Sequence, residues 1–243
     1  MRDLRDFPGT ADLYFLRHGE SEGNRDRIIQ GRHDPPLTPL GREQAKAAGA
    51  WFASRGVRHV LTSPLLRASQ TAEIVAERVG AAAPRLLEDL TEIGTGIFTG
   101  LSFEQAHARF PDAWAIFQQQ SWEGVPEAER ITALLDRAHR VWDLLADLAA
   151  GGTRCILCVT HSGFLQWILR WTLGNRTWMP LFAAADNCGV SHLRVENHDG
   201  RGGGRPSADG TPAAAADGAR HYAAWTLVNA PAASGVDDRR AGH

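Results

Sequence analysis

The segment LYFLRHGESEGN, residues 13–24, decides the fold. Leu13, Tyr14, Phe15 and Leu16 form a hydrophobic run that gives way at once to Arg17, His18 and Gly19. A short, uninterrupted run of this kind reads as a strand buried within a sheet, and the abrupt change to charge marks where the strand reaches the sheet's edge. Polar chemistry begins where the strand stops.

Downstream the pattern changes period. After a Pro-rich loop, Thr38 is placed to cap a helix with Pro39 at its first position, and the helix is predicted to run to about Arg55, with Gly56 ending it. Residues 57–62 then read as a second strand, Ser63-Pro64 as the start of a second helix through the same cap-then-proline device, and Gly80 as its end. Strand alternating with helix predicts an α/β protein, a three-layer α/β/α sandwich with a mainly parallel sheet, whose ligands bind beyond the carboxyl ends of the strands.

Residues 93–125 break into short helical pieces rich in aromatics (Phe103, Phe110, Trp114, Phe117, Trp122) and read as a lid or subdomain inserted in the domain. A long amphipathic helix follows, with Leu134, Leu135, Ala138, Val141, Trp142, Leu145 and Leu148 on one face, stopped by Gly151-Gly152. Residues 155–160 are the next strand, 164–173 the helix after it, and 190–195 and 222–228 two further strands. Between them, residues 197–220 are low in complexity and read as a flexible insert, and 231–243 as a mobile tail. Residues 1–230 are thus expected to form one domain.

Bulk properties exclude several classes. With 43% hydrophobic and 22% charged residues the chain has enough apolar surface for a core. A net charge of −2 provides no general field to gather nucleic acid or an anionic membrane, so any anion selectivity must be local. The first residues lack the apolar run of a signal peptide and no stretch reaches spanning length, which predicts a cytoplasmic protein. Cys155 and Cys158 form a C-x-x-C, but three residues apart on a strand they point to opposite faces, and no second pair completes a metal site, so both are read as core. Gly94, Gly96 and Gly100 are spaced one residue too widely for a dinucleotide fingerprint. Nothing in the sequence specifies an oligomeric state.

The polar clusters that remain fall at the positions this architecture favours: Arg17-His18-Gly19 after the first strand, Arg67 in the helix after the second, Glu92 before the lid, and Thr160-His161-Ser162-Gly163 after a later strand. Each alone is unremarkable. Together, two histidines, two arginines and one carboxylate make a poor metal site, because arginine cannot ligate and repels the ion. They suit an anion: a phosphoryl group carries roughly 1.5 to 2 negative charges on oxygens that planar guanidinium groups grip bidentately.

The same segments resemble the histidine phosphatase superfamily, branch 1, also called phosphoglycerate mutase-like. LRHGESEGN matches the family's nucleophile loop, DPPLTPLGREQA the helix after it, LTSPLLRASQTAE its second arginine, LTEIGTGIFTGLS its acid loop and VTHSGFL its second histidine, in the family's order. The resemblance implies His18 as nucleophile, a phosphate pocket of Arg17, Arg67 and His161, and Glu92 as proton donor. It also implies Asn24 near the phosphate and Ser63 in a supporting position. The family's Pro-Gly-Gly-Glu-Ser before the long helix is here VPEAER, so Glu129 receives no role.

The expected activity is hydrolysis of a small organic phosphomonoester through a phosphohistidine on His18, with no metal and no cofactor. The enzymatic alternative is a cofactor-dependent phosphoglycerate mutase. Such mutases carry a longer, basic insertion before the second histidine, whereas residues 93–129 here offer only His107 and Arg109, with Arg25, Arg27 and Arg32 near the nucleophile loop. A non-catalytic phosphate sensor is disfavoured, since a binding module needs no nucleophile and proton donor together.

Overall fold

The computed structural model describes residues 9–174, 185–198 and 220–232. In chain order these form β1 (Gly9–Arg17), α1 (Glu22–Arg25), α2 (Pro39–Phe52), β2 (His59–Thr62), α3 (Leu66–Val79), the two-residue β3 (Arg85–Leu86), α4 (Phe103–Arg109), α5 (Pro111–Gln120), α6 (Ile131–Ala150), β4 (Cys155–Thr160), α7 (Ser162–Thr172), β5 (Gly189–His198) and β6 (Arg220–Pro231), with short 3-10 turns between β3 and α4 and after α5. The insert read at 197–220 overlaps the ends of β5 and β6; its residues 199–219 and the tail beyond 232 lie outside the described residues.

The strands make one sheet in the order β3-β2-β4-β1-β5-β6. The pairs β3–β2, β2–β4 and β4–β1 are parallel, while β5 runs antiparallel to both β1 and β6. The apolar run of β1 is explained by its central place: Leu13 and Phe15 face one layer, Tyr14 and Leu16 the other, and all are buried. On the first face they meet α6 and α7 through Leu134, Val141, Leu145, Phe164 and Ile168. On the second they meet α2 and α3 through Ala48, Phe52, Ala72 and Val75. Each large side chain so buried contributes roughly 1.5–3 kcal/mol. The three-layer sandwich follows directly. Cys158 packs in the first layer and Cys155 against the second, as opposite faces of a strand require.

Three local expectations need correction. α2 begins as predicted, with Thr38 Oγ accepting from the Gly41 N–H, but ends at Phe52 rather than Arg55. Its last turn tightens through Arg55 N–H to Phe52 O, and the chain reverses at Gly56 with φ 72°. α3 starts at Leu66, not at Ser63-Pro64: Ser63 Oγ is engaged by His161 and the Leu65 N–H, and Leu65 stays extended at φ −62°, ψ 135°. Gly80, left-handed at φ 65°, closes it as expected. β5 and β6 are each longer than read, because their pairing continues to Asn197–His221 and His198–Arg220.

The aromatic segment forms a small cluster of its own. Phe98 is fully buried and meets Phe110, Trp114, Phe117 and Trp122 at ring-centroid distances of 5.9–6.4 Å. Phe110, Trp114, Phe117 and Trp122 are themselves partly buried and pack against the small core of Ile29, Phe98, Ala106 and Val125.

Candidate active site

Strand register brings the two histidines together. Arg17 of β1 pairs with Thr160 of β4 in parallel, so the residue after each, His18 and His161, emerges at the same edge of the sheet. Their rings lie 5.0 Å apart between centroids, and both residues are buried. The backbone at His18 is tied on both sides: its N–H donates to Thr160 O at 3.0 Å, and its carbonyl accepts from Cys188 N–H at 3.3 Å and Asn187 Nδ2 at 3.1 Å. The Gly19 N–H donates to Thr71 Oγ1 at 3.0 Å.

The tautomer of His18 follows from its partner. Nδ1 lies 2.7 Å from the Gly19 carbonyl, which only accepts, so Nδ1 carries the proton and Nε2 keeps its lone pair. Burial, then the charges of Arg17 and Arg67, hold the ring well below the ordinary histidine range, which keeps it neutral. An unprotonated imidazole nitrogen is the form a phosphoryl acceptor needs.

His161 has the complementary arrangement. Its Nε2 lies 2.8 Å from Ser63 Oγ, and that oxygen already accepts the Leu65 N–H, leaving its own proton free to donate to Nε2. Nδ1, the nitrogen that carries the proton when Ser63 donates to Nε2, is buried with no hydrogen-bond partner among the described residues. Burial, followed by Arg67, His18 and Arg17, pushes the pKa of this ring down as well, which favours the neutral imidazole.

The arginines are anchored at their far ends. Arg67 Nη1 donates to His33 O at 2.8 Å and Nη2 to Gly31 O at 2.9 Å, while its buried Nε has no partner among the described residues. Burial lowers its pKa to about 10, with Glu92 and Asp34 opposing. Arg17 Nη1 donates to the Ala185 carbonyl, and its buried Nε is likewise unpartnered. Both guanidiniums are thus fixed by backbone carbonyls and keep donor capacity next to the histidines.

Glu92 sits at the amino end of α7. Its Oε1 accepts from Ile93 N–H and Phe164 N–H, each at 2.9 Å, and Oε2 from Gly163 N–H at 3.2 Å. A carboxylate at a helix N-terminus is favoured by the same unpaired amides that bind anions. A Cβ at position 163 would lie 2.6 Å from Oε1, so only glycine admits this approach.

Of the remaining expected residues, Ser63 orients His161, as described, and Asn24 closes the first turn of α1. Asn24 Oδ1 accepts from Ser21 N–H at 3.1 Å and Asn187 Nδ2 at 3.2 Å, which links it to the His18 carbonyl through a shared donor. Asn187 and Thr71 were missed by sequence reasoning. Both act on backbone atoms of the 18–19 loop across more than fifty residues of chain; Thr71 lies within the LTSPLLRASQTAE segment but was given no role there, and Asn187 falls in no motif.

The chain is similar to known proteins in both sequence and fold. The family model for the histidine phosphatase superfamily (branch 1) matches residues 13–202. A Yersinia pestis relative named probable phosphoglycerate mutase GpmB is 31% identical over 74% of this chain and 83% of its own length. Among solved structures, Bacillus stearothermophilus YhfR is 29% identical with a TM-score of 0.66, over 75% of this chain and 90% of its own. A mycobacterial glucosyl-3-phosphoglycerate phosphatase, complexed with VO3, is 25% identical with a TM-score of 0.67, over 90% and 99%.

Proposed function

The chain belongs to branch 1 of the histidine phosphatase superfamily, and from that premise we propose that it hydrolyses a small organic phosphomonoester through a phosphohistidine on His18. One observation carries the reading. Three buried nitrogens of the residues neighbouring His18 lack partners among the described residues, Arg17 Nε, Arg67 Nε and His161 Nδ1; the Arg17 and Arg67 charges act on the His18 ring, and the His161 ring lies 5.0 Å from it between centroids. An unpaired buried donor costs about 1–3 kcal/mol, and a phosphoryl group relieves all three at once.

In the proposed reaction His18 Nε2 forms a bond to phosphorus as the ester P–O bond breaks. Glu92 delivers a proton to the departing alcohol oxygen. The phosphoimidazole is cationic, and its Nδ1–H still donates to Gly19 O, which disperses part of that charge. Water then attacks phosphorus while Glu92, now a carboxylate, takes a proton from it; the P–N bond breaks and inorganic phosphate leaves. Throughout, the arginine donors and His161 Nδ1 face charge on the transferring oxygens, an electrostatic contribution expected to exceed the others.

The Yersinia relative's name raises the mutase alternative, in which the phosphoryl group returns to a phosphoglycerate. That reaction needs cations for a second acidic group. Arg25 is already paired with Asp26 at 2.8 Å and Arg32 with Glu129 at 3.2 Å, which leaves exposed Arg27 alone of the three for a second acidic group. In the subdomain, His107 packs on Trp114 and Arg109 over Phe110, both on exposed positions of α4. Hydrolysis is therefore favoured. A small-molecule phosphate panel that includes 2- and 3-phosphoglycerate separates the two: hydrolysis predicts release of inorganic phosphate from at least one ester, whereas phosphoglycerate interconversion faster than phosphate release would replace it with the mutase.

A further inference from the structure

Glu129 is the residue on which the sequence was silent, and it occupies a singular place. Its side chain and that of Arg137 are only 10% and 8% exposed, and they pair bidentately, Nε to Oε1 at 2.8 Å and Nη2 to Oε2 at 2.9 Å. Withdrawing two opposite charges from water seldom gains stability over an apolar pair of the same size. The location of this pair suggests what it does instead.

Its remaining hydrogen bonds go to both flanks of Glu92. Arg137 Nη1 donates to Thr91 O at 2.9 Å and Asp89 O at 3.1 Å, before the acid. Glu129 Oε2 accepts the Gly94 N–H at 3.0 Å, after it, and the Glu129 N–H returns to Gly94 O at 2.9 Å. The Arg137 guanidinium also lies 4.0 Å from the ring centroid of Phe164, whose N–H holds Glu92 Oε1. A third donor, Arg32 Nη2, reaches the same Oε2 at 3.2 Å from between Gly31 and His33, whose carbonyls anchor Arg67.

We propose that the Glu129–Arg137 pair is a positioning element for the reaction, clamping the backbone on each side of Glu92 so that its carboxyl meets the leaving oxygen. The proposal rests on the reading of Glu92 as proton donor. Through Arg32 the clamp also registers the acid loop against the loop that carries Arg67.

A merely structural pair and a positioning pair differ in their dependence on the leaving group. A p-nitrophenolate departs without a proton, whereas an alkoxide needs one, so the ratio of kcat/KM for glycerol 2-phosphate to that for p-nitrophenyl phosphate reports proton delivery. kcat/KM covers steps only through phosphorylation of His18, which removes the later role of Glu92 as base from the comparison. Glu92→Gln sets the scale, with the ratio falling roughly 10²- to 10⁴-fold. Glu129→Gln is expected to lower it about ten- to a hundredfold, the range a displacement near 1 Å produces.

Glu129→Gln leaves Arg137 buried without its counter-ion, so Tm is measured alongside. The double substitution Glu129→Leu/Arg137→Met leaves no unpaired buried charge, although the Thr91 and Asp89 carbonyls and the Gly94 N–H lose their partners and Tm is expected to fall; it decides where the single variant does not fold. A lowered ratio in either variant, assayed well below that variant's own Tm, supports the positioning role. An unchanged ratio, with or without loss of Tm, overturns it. Equal slowing of both esters by Glu92→Gln is a separate outcome: it removes Glu92 as acid, and the clamp's proposed purpose with it.

Discussion

Gly41→Ala puts two opposing effects in direct competition. Position 41 lies in the first turn of α2, where alanine is intrinsically favoured by about 1 kcal/mol over glycine. The added Cβ, however, would stand 2.0 Å from Glu20 O and 2.8 Å from Glu20 N, while ordinary contact begins at 3.4 Å. Glu20 O has no freedom to retreat, because it already accepts the Thr38 N–H at 2.9 Å. Overpacking of this kind costs roughly 1–3 kcal/mol, so the clash wins or breaks even on stability. The effect on rate should be larger. The displaced backbone includes Gly19, whose carbonyl fixes the His18 tautomer and whose N–H is held by Thr71. A shift of about 1 Å in a reacting group costs on the order of 10² in rate, equivalent to about 2.7 kcal/mol. kcat/KM on p-nitrophenyl phosphate, with Tm from calorimetry, checks both. A variant within twofold of wild type, with Tm unchanged or raised, would refute the claim that the nucleophile loop is seated on the first turn of α2.

Three further outcomes follow from the same geometry. His18 and His161 are both held below their ordinary pKa of 6.5 by burial and then by neighbouring cations, so the unfolded chain binds protons that the folded chain refuses. Stability should accordingly be full above pH 6.5 and fall below it, by up to about 1.4 kcal/mol per pH unit for each ring; a Tm that is flat from pH 7 to pH 5 contradicts this. Arg67→Lys cannot span the Gly31 and His33 carbonyls while also presenting a donor to phosphate, and should lower kcat/KM by about 10²- to 10³-fold and weaken protection by vanadate in a thermal shift. Ser63→Ala takes away the hydroxyl shared by His161 Nε2 and the Leu65 N–H; about a tenfold loss in kcat/KM is expected together with a lowered Tm, and an unaffected rate would argue against Ser63 as the group that sets the His161 tautomer.

The sandwich was readable because its signals are local. The apolar run of β1, the Thr38-Pro39 start of α2, the amphipathic face of α6 and the left-handed Gly80 each depend on neighbours within a few residues. The convergence of Arg17, His18, Arg67, Glu92 and His161 was foreseen from strand ends and motif order, since adjacent parallel strands bring equivalent ends together. Where local rules misled, a long-range contact had taken over the group concerned. Ser63 reads as a helix cap, yet its hydroxyl is committed to His161, ninety-eight residues away. Glu129 departs from the family's flanking residues and was given no role, although Arg137, eight residues on, falls one position short of the face that α6 shows most plainly. Asn187 and the Ala185 carbonyl lie in a connection with no periodicity, and only the assembled fold reveals that they support Arg17 and His18. No helix among the described residues is long and apolar enough to cross a membrane.

The account stands on His18 Nε2 as the atom that receives phosphorus. Turnover quenched in alkali after milliseconds, followed by peptide mapping, measures this directly. The expected product is an acid-labile phosphoramidate on the peptide containing His18, formed and lost at rates compatible with kcat and absent from His18→Ala. A phosphoserine, a phosphoryl group mapped to another residue, or steady hydrolysis by His18→Ala would contradict it.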